Sequence, residues 1–388
     1  MHLSPRFGWF VATTAAVIAA TGLCSSTAAA QTAGTATAAR TNRIVLVVSS
    51  AGRDSGRTHP GFEMDELSQA WLVLTRNGYH VTIASPAGGA VVADAFDRTN
   101  DYNSAMLADA AAMTQLQATR RTASLKPADF DALMVIGGKG AMFDLPLDTA
   151  LARFAGALHD RGGVVAAVCH GPAGLLRART RDGRLLFAGR AVTGFTNEEE
   201  TVFGKKWRAE YPFLLEDEAR RAGARWEEAP LMMPHVAVDG RLVTGQNPFG
   251  TSVATEAVVR VLGKTPVARP RWKDEAAVYA AVELLALDAD VAKRVLAAQS
   301  KTLQVDLIGL LGYYQLQTAS DTADVQRAVT LMELAAPYMP APEMSMGLAT
   351  GYQRLGRTRE ARALATDVAA RHKTHEREAR ALLASLPQ

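Results

Sequence analysis

Between residues 43 and 262, short apolar runs of strand length alternate with longer segments that have helical periodicity. The runs lie at 43–50, 80–86, 130–138 and 162–168. Apolar strands separated by helices are buried on both faces and pair in parallel, with helices covering the two faces of the sheet. The pattern therefore predicts an α/β fold with a doubly wound parallel sheet.

Further segments complete this predicted domain. Residues 61–79 have apolar side chains at helical spacing, which predicts a helix that ends at Gly78. Residues 190–195 predict a further strand. Residues 231–248 contain a hairpin around VDGR, and 251–263 form a closing helix.

The chain changes character after Leu262. Residues 263–275 are polar, contain prolines and lack periodicity, which predicts a linker. Residues 276–388 have helical periodicity almost throughout, which predicts an all-α domain that resembles tetratricopeptide repeats. The positions that match the packing residues of such repeats are Ala328, Met332, Ala335, Pro340, Leu348, Tyr352, Gly356, Ala361 and Ala365. An irregular helical bundle fits the same pattern.

The first thirty residues have the character of an export signal. A weakly positive start leads into an apolar stretch and then into small residues, which predicts a signal peptide cut near Ala30 and a flexible segment at 31–42. We therefore expect a periplasmic or secreted protein with no membrane span in the mature chain. Lipid attachment at Cys24 is the alternative, although Leu23 is large for a lipoprotein signal.

Charge and histidine placement restrict the function. The 42 basic and 39 acidic residues are interspersed, so no basic run is available to bind nucleic acid. The histidines are scattered or lie in a charged tail segment, so we expect no metal and no cofactor.

The stretch GVVAAVCHGPAGLL, residues 163–176, holds the one cysteine that remains after signal cleavage. A buried strand that turns at Cys169 into a helix puts the thiol on a tight turn at the carboxyl edge of the sheet, where α/β folds keep their sites. The N–H groups of that helix favour a thiolate, so we expect an acidic, nucleophilic thiol. His170 can accept or return its proton.

Carboxylate and glycine residues complete the candidate site. Glu66 lies at the edge of the first helical stripe, where partial burial raises its pKa and suits it to proton transfer or to orienting His170. Glu198 is the alternative orienting group and a possible pocket residue. Gly137 and Gly138 end a strand and expose backbone N–H groups, as an oxyanion site requires.

Five motifs occur in an order that resembles the ThiJ/PfpI superfamily. They are GFEMDEL…NGYHVTIASPAGG, GGKGAMFDLP, AAVCHGPAGLL, VTGFTNEEE and VTGQNP. The resemblance covers residues 43–265 and is strongest to the heat-shock glyoxalase and chaperone branch. It implies a flavodoxin-like, class I glutamine-amidotransferase-like sandwich over 43–262.

The resemblance also implies an activity. Cys169 would be the nucleophile, His170 its proton carrier and Glu66 the acid and base, with the backbone of Gly138 and His170 holding the substrate oxygen. Relatives are glutathione-independent glyoxalases that convert methylglyoxal to lactate without a cofactor. Lys139 stands where relatives usually carry His, so it is a possible pocket residue.

Two alternative functions and three partner predictions accompany this interpretation. A cysteine amidohydrolase or peptidase would use the same thiol, and a holding chaperone or redox-responsive adaptor would need no catalysis. We expect a small aldehyde as substrate and a homodimer, with the C-terminal helices available to a protein partner.

Overall fold

The structure, a computed structural model, describes residues 41–52, 54 and 57–387. These residues belong to one compact unit, Arg40–Gln388. The predicted signal peptide, including Cys24 and Ala30, lies outside the described residues. No helix in the described ranges is both long and apolar enough to cross a membrane.

A seven-stranded sheet forms the centre of the α/β part. Its strands are β1 (Arg43–Val47), β2 (His80–Ser85), β3 (Arg120–Arg121), β4 (Ala132–Val135), β5 (Val164–Val168), β8 (Val236–Asp239) and β9 (Leu242–Gly245). Across the sheet these strands lie in the order β3-β2-β1-β4-β5-β9-β8. All neighbours pair in parallel except the β8–β9 hairpin, which has the predicted VDGR turn. A separate small sheet pairs β6 (Ala191–Val192) with β7 (Arg225–Trp226).

Helices surround the sheet and then continue alone. Those of the α/β part are α1 (Met64–Arg76), α2 (Asp101–Ala108), α3 (Ala110–Gln117), α4 (Ala141–Asp144), α5 (Thr149–Asp160), α6 (Asn197–Phe203), α7 (Leu215–Arg221) and α8 (Thr251–Val261). Those of the C-terminal part are α9 (Lys273–Leu285), α10 (Ala289–Gln299), α11 (Val305–Thr318), α12 (Thr322–Ala335), α13 (Pro342–Arg354), α14 (Thr358–Arg371) and α15 (Glu376–Ser385).

Two apolar cores lie on opposite faces of the sheet. Successive strand side chains point to opposite faces, so Ile44 and Leu46 of β1 pack towards α1 and α8, while Val45 and Val47 pack towards α5. A strand buried on both faces has to be apolar at every position. The prediction of a doubly wound, mostly parallel α/β sheet is therefore confirmed.

The C-terminal helices pack on the α/β part. Leu231 and Met232, which precede β8, share an apolar cluster with α9 and α11. The predicted linker contains no helix or strand before Lys273, but Arg269 within it is paired with Glu256 and Glu275. The segment is therefore held in place between the two parts.

The residues that suggested tetratricopeptide repeats lie on consecutive packed helices. Ala328 and Met332 lie on α12, which packs on α11, while Leu348 lies on α13 and Ala361 on α14, which pack on each other. Helix pairs of this kind occur in repeats and in irregular bundles alike. The resemblance to repeats therefore stays a prediction.

Candidate active site

Cys169 directly follows β5 in a strained backbone conformation. Its φ is +57°, a left-handed value that costs a residue with a side chain about 1–3 kcal/mol. Two hydrogen bonds hold the turn, because the Cys169 N–H donates to the Gly245 carbonyl at 2.9 Å and its carbonyl accepts from the Phe195 N–H at 2.9 Å. The predicted tight turn at the carboxyl edge of the sheet is present. A five-residue 3₁₀ helix, Gly171–Leu175, follows it in place of the expected longer helix.

His170 connects the thiol to a carboxylate. Its Nδ1 lies 3.3 Å from Cys169 Sγ, and its Nε2 lies 2.7 Å from Glu200 Oε1. The ring stacks on Phe195 with a centroid distance of 4.4 Å, which fixes its orientation. A carboxylate on Nε2 favours the tautomer with the proton there, so Nδ1 can accept the thiol proton.

Glu200 is the orienting group that the sequence analysis missed. We expected Glu66 in this role, with Glu198 as the alternative. Helix α6 begins with a capping box between Thr196 and Glu199, which fixes the rotation of its first turn. Residues two apart on an α-helix point about 200° apart, so Glu200 faces His170 while Glu198 is exposed to solvent on the other side. The structure therefore does not bring Glu198 to the thiol.

Glu66 is a second carboxyl group beside the thiol, separate from the His170–Glu200 pair. It is fully buried in the first turn of α1, its Oε2 accepts the Gly137 N–H at 2.7 Å, and the carboxyl lies beside the Cys169 thiol. Burial raises the pKa of Glu66 well above its usual range, and the neighbouring Glu63 charge raises it further. The direction that we predicted for this pKa is confirmed.

The thiol itself is not acidic in this environment. Burial raises the pKa of Cys169 well above its usual range, and the Glu66 carboxylate adds to the effect, while a hydrogen bond from the Gly138 N–H opposes it. The expectation of a low pKa was wrong because Cys169 is only 3% exposed and its thiol lies against a carboxylate. A nucleophilic step therefore requires a base to take the thiol proton as the sulfur attacks.

Gly138 brings a backbone N–H group to the sulfur. Its φ is +91°, and a Cβ at this position would lie 2.3 Å from the Glu63 nitrogen. The preceding Gly137 lies close to the turn at Cys169, since a Cβ at Gly137 would lie 2.7 Å from the His170 nitrogen. The Gly138 N–H thus lies beside the sulfur, and the His170 N–H lies beside Gly137, while the oxyanion site predicted at these two groups stays a prediction.

We expect Gly138→Ala to lower the free energy of unfolding by about 2–4 kcal/mol, because it combines left-handed strain with a backbone clash. Gly240→Ala is the matched control, because Gly240 has φ +60° but open space around its Cβ position. The control should lose only about 1 kcal/mol. Urea unfolding of both variants measures the difference, and equal losses would contradict the close packing described here.

Lys139 and a group of aromatic rings lie next to residues that flank the thiol. Lys139 lies near Glu63, whose pKa burial raises to about 7 while the Lys139 charge opposes the shift. Phe143 contacts the rings of Trp207 and Tyr211, and the Tyr211 ring lies 6.0 Å from that of His170. No group of three or more His, Cys, Asp or Glu among the described residues is arranged to hold a metal ion.

This fold and site define an α/β protein with a buried cysteine on a sharp turn, flanked by a His–Glu pair and a separate glutamate. The profile of the DJ-1/PfpI family matches residues 58–259. The chain belongs to this family, as the resemblance to ThiJ/PfpI proteins implied.

Individual relatives agree with this assignment. A glutathione-independent glyoxalase of Schizosaccharomyces pombe is 32% identical over 227 residues, which are 52% of this chain and 87% of the relative. The crystal structure of glyoxalase III from Candida albicans has 25% identity and a TM-score of 0.51, and the match covers 57% of this chain and 98% of that one. The Rapid Encystment Protein 24 kDa of Francisella tularensis has 26% identity and a TM-score of 0.54, covering 57% and 99%.

Proposed function

We propose that this protein is an exported, glutathione-independent glyoxalase that converts methylglyoxal or a similar 2-oxoaldehyde to the 2-hydroxy acid. The observation that carries the proposal is the pair of separate proton acceptors around one thiol. His170 Nδ1 lies 3.3 Å from the sulfur, and the buried carboxyl of Glu66 is a second acceptor beside it. The names of the relatives as glyoxalases support the same activity.

The first step is addition of the thiol to the aldehyde. His170 takes the thiol proton while the sulfur forms a bond to the aldehyde carbon, and Glu200 stabilises the imidazolium through its 2.7 Å contact. The new oxyanion is held by the N–H groups of Gly138 and His170. His170 then returns the proton to that oxygen, which gives a neutral hemithioacetal.

The second step moves one proton from the former aldehyde carbon to the neighbouring carbon. The Glu66 carboxylate removes the proton from the former aldehyde carbon and delivers it to the neighbouring carbon, through an enediol. His170 moves the hydroxyl proton from the first oxygen to the second. The product is a 2-hydroxyacyl thioester, and water attacks it to release the acid and restore the thiol.

A lactate assay tests the proposal directly. Purified mature protein fed methylglyoxal, with no glutathione present, should release one lactate for each methylglyoxal consumed. Absence of lactate at enzyme concentrations up to that of the substrate would contradict the proposed activity.

A cysteine hydrolase is the second candidate function. The chain Cys169–His170–Glu200, with contacts of 3.3 Å and 2.7 Å, also has the arrangement of an acyl-transfer triad. Acyl transfer needs no base for a carbon-bound proton, so a hydrolase would leave Glu66 without a function. Turnover of a chromogenic amide with no lactate formation would favour this candidate.

We expect Glu200→Gln to lower the turnover of methylglyoxal by about 10- to 100-fold, less than loss of a group that transfers a proton directly. Glutamine can still accept the Nε2–H hydrogen bond, but it removes the charge that stabilises the imidazolium. Steady-state kcat measures the effect. Glu218→Gln on α7 is the control and should keep wild-type activity, and an equally active Glu200→Gln would remove the role assigned to the pair.

A further inference from the structure

A half-open cleft of about 850 Å³ lies between the α/β part and the C-terminal helices. Its floor is apolar and is formed by Ala281, Leu285, Leu311 and Leu331. These residues lie on α9, α11 and α12, and the segment 228–234 between β7 and β8 forms the opposite wall. Binding sites for small molecules commonly have volumes of about 300–1,000 Å³ and predominantly apolar linings.

The wall is fixed to both parts of the protein. The Gln246 side chain makes two hydrogen bonds to the Ala229 backbone, at 2.8 and 3.1 Å. From the helical side, Gln315 Nε2 donates to the Leu231 carbonyl at 3.1 Å. The cleft is therefore formed before any ligand arrives, which lowers the entropic cost of binding.

Met232, within the segment 228–234, does not itself line the cleft but helps to fix that segment. Its N–H donates to the buried carboxylate of Glu199 at 3.3 Å, and its φ is +64°. A strained backbone of this kind persists only where the surrounding structure over-determines it, so the segment is rigid.

The segment 228–234 has few free backbone groups to which an extended peptide could hydrogen-bond. Pro230 and Pro234 have no N–H group, and the N–H groups of Ala229, Met232 and Met233 are already bonded within the protein. Since a peptide that adds to a strand edge requires free backbone groups, recognition here has to rely on apolar contact and on charge.

The rim of the cleft carries uncompensated negative charge. Glu198 and Glu228 are both exposed at the rim on the α/β side. Within the described residues Glu198 makes no ion pair or hydrogen bond, and Glu228 accepts one hydrogen bond, from Trp226 Nε1 at 2.9 Å. On the helical side, Asp324 is already paired with Arg327. An apolar floor beside two carboxylates that have no cationic partner is complementary to an apolar group that carries one positive charge.

We propose that this cleft binds an amphiphilic cation, an apolar chain or ring system that bears a single amine, guanidine or quaternary ammonium group. The apolar group lies on the floor formed by α9, α11 and α12. The cationic group lies at the rim between Glu198 and Glu228.

Titration calorimetry of the full chain with n-octylammonium tests the charge preference, with octanoate and 1-octanol as probes of the same length. We expect one molecule of octylammonium per chain, bound at least tenfold more tightly than octanoate. Glu198→Gln should weaken octylammonium binding about two- to fivefold and leave octanol binding unchanged. Equal binding of octylammonium and octanoate would overturn the proposal.

A matched pair of variants tests the location. Val282 lines the cleft and Val267 lies in the linker away from it, and both side chains are 53% exposed, so lysine at either position leaves the core intact. Val282→Lys should weaken octylammonium binding at least tenfold, because it puts a like charge on the floor, while Val267→Lys should bind as the wild type does. Indistinguishable affinities of the two variants would show that the probe binds elsewhere, and the proposal would fail.

Discussion

Replacing Cys169 by alanine should abolish lactate formation from methylglyoxal, with a loss of at least about 10⁴-fold in kcat/KM. The thiol forms the bond to the substrate, and no other cysteine lies in the described residues. Alanine and cysteine both carry a Cβ, so the substitution leaves the steric strain of the left-handed backbone at residue 169 unchanged. Lactate release over time by the variant and the wild type measures the loss.

Two controls separate the sulfur from the shape of the site. Cys169→Ser keeps a side chain of similar size and should be almost as inactive, because an unactivated hydroxyl is a weak nucleophile. Suppression of aggregation of a client protein should survive both substitutions if the chain also acts as a holding chaperone. Lactate formation by Cys169→Ala at more than a hundredth of the wild-type rate would show that the chemistry does not pass through this thiol.

The parallel sheet could be predicted because its strands are apolar on both faces. Every residue of β4 and β5 is at most 1% exposed, so each strand is a continuous run of apolar residues that is easy to recognise in the sequence. The strand predicted at 190–195 reduces to β6, which has two residues and pairs in a separate sheet. A short apolar run does not carry information about its pairing partner.

The backbone of the site and two of its side chains, His170 and Glu66, could be predicted from the sequence. The turn at Cys169 and the glycines after β4 follow from local sequence, whereas the electrostatics depend on residues that are distant in the chain. Glu200 lies thirty residues from His170 and is the last of three consecutive glutamates, 198–200, so only the packing of α6 decides which carboxylate faces the ring. The prediction of a low thiol pKa is wrong for the same reason. Burial and the Glu66 carboxylate raise the pKa of Cys169 by more than the short 3₁₀ helix after the turn lowers it.

Replacing Glu66 by glutamine should lower methylglyoxal turnover by about 10²–10⁴-fold while the enzyme still binds aldehyde at the thiol. Glutamine can keep the hydrogen bond from the Gly137 N–H, but it cannot accept the carbon-bound proton. Because the raised pKa of Glu66 has to be exceeded for the carboxylate to act as a base, wild-type turnover should fall as the pH is lowered through that pKa. The residual activity of Glu66→Gln should lack this acid limb, which pH profiles of kcat can show.

Stability measurements distinguish a base from a structural carboxyl group at this position. The folded-state pKa of Glu66 lies above its unfolded value, so the protonated carboxyl contributes stability at low pH that is lost as the pH rises through the folded-state pKa. Glutamine does not ionise, and the free energy of unfolding of Glu66→Gln relative to the wild type should therefore increase with pH. Urea unfolding at several pH values measures this difference. A variant that is inactive and also less stable at every pH would indicate that Glu66 supports the fold, and that its loss disables the thiol indirectly.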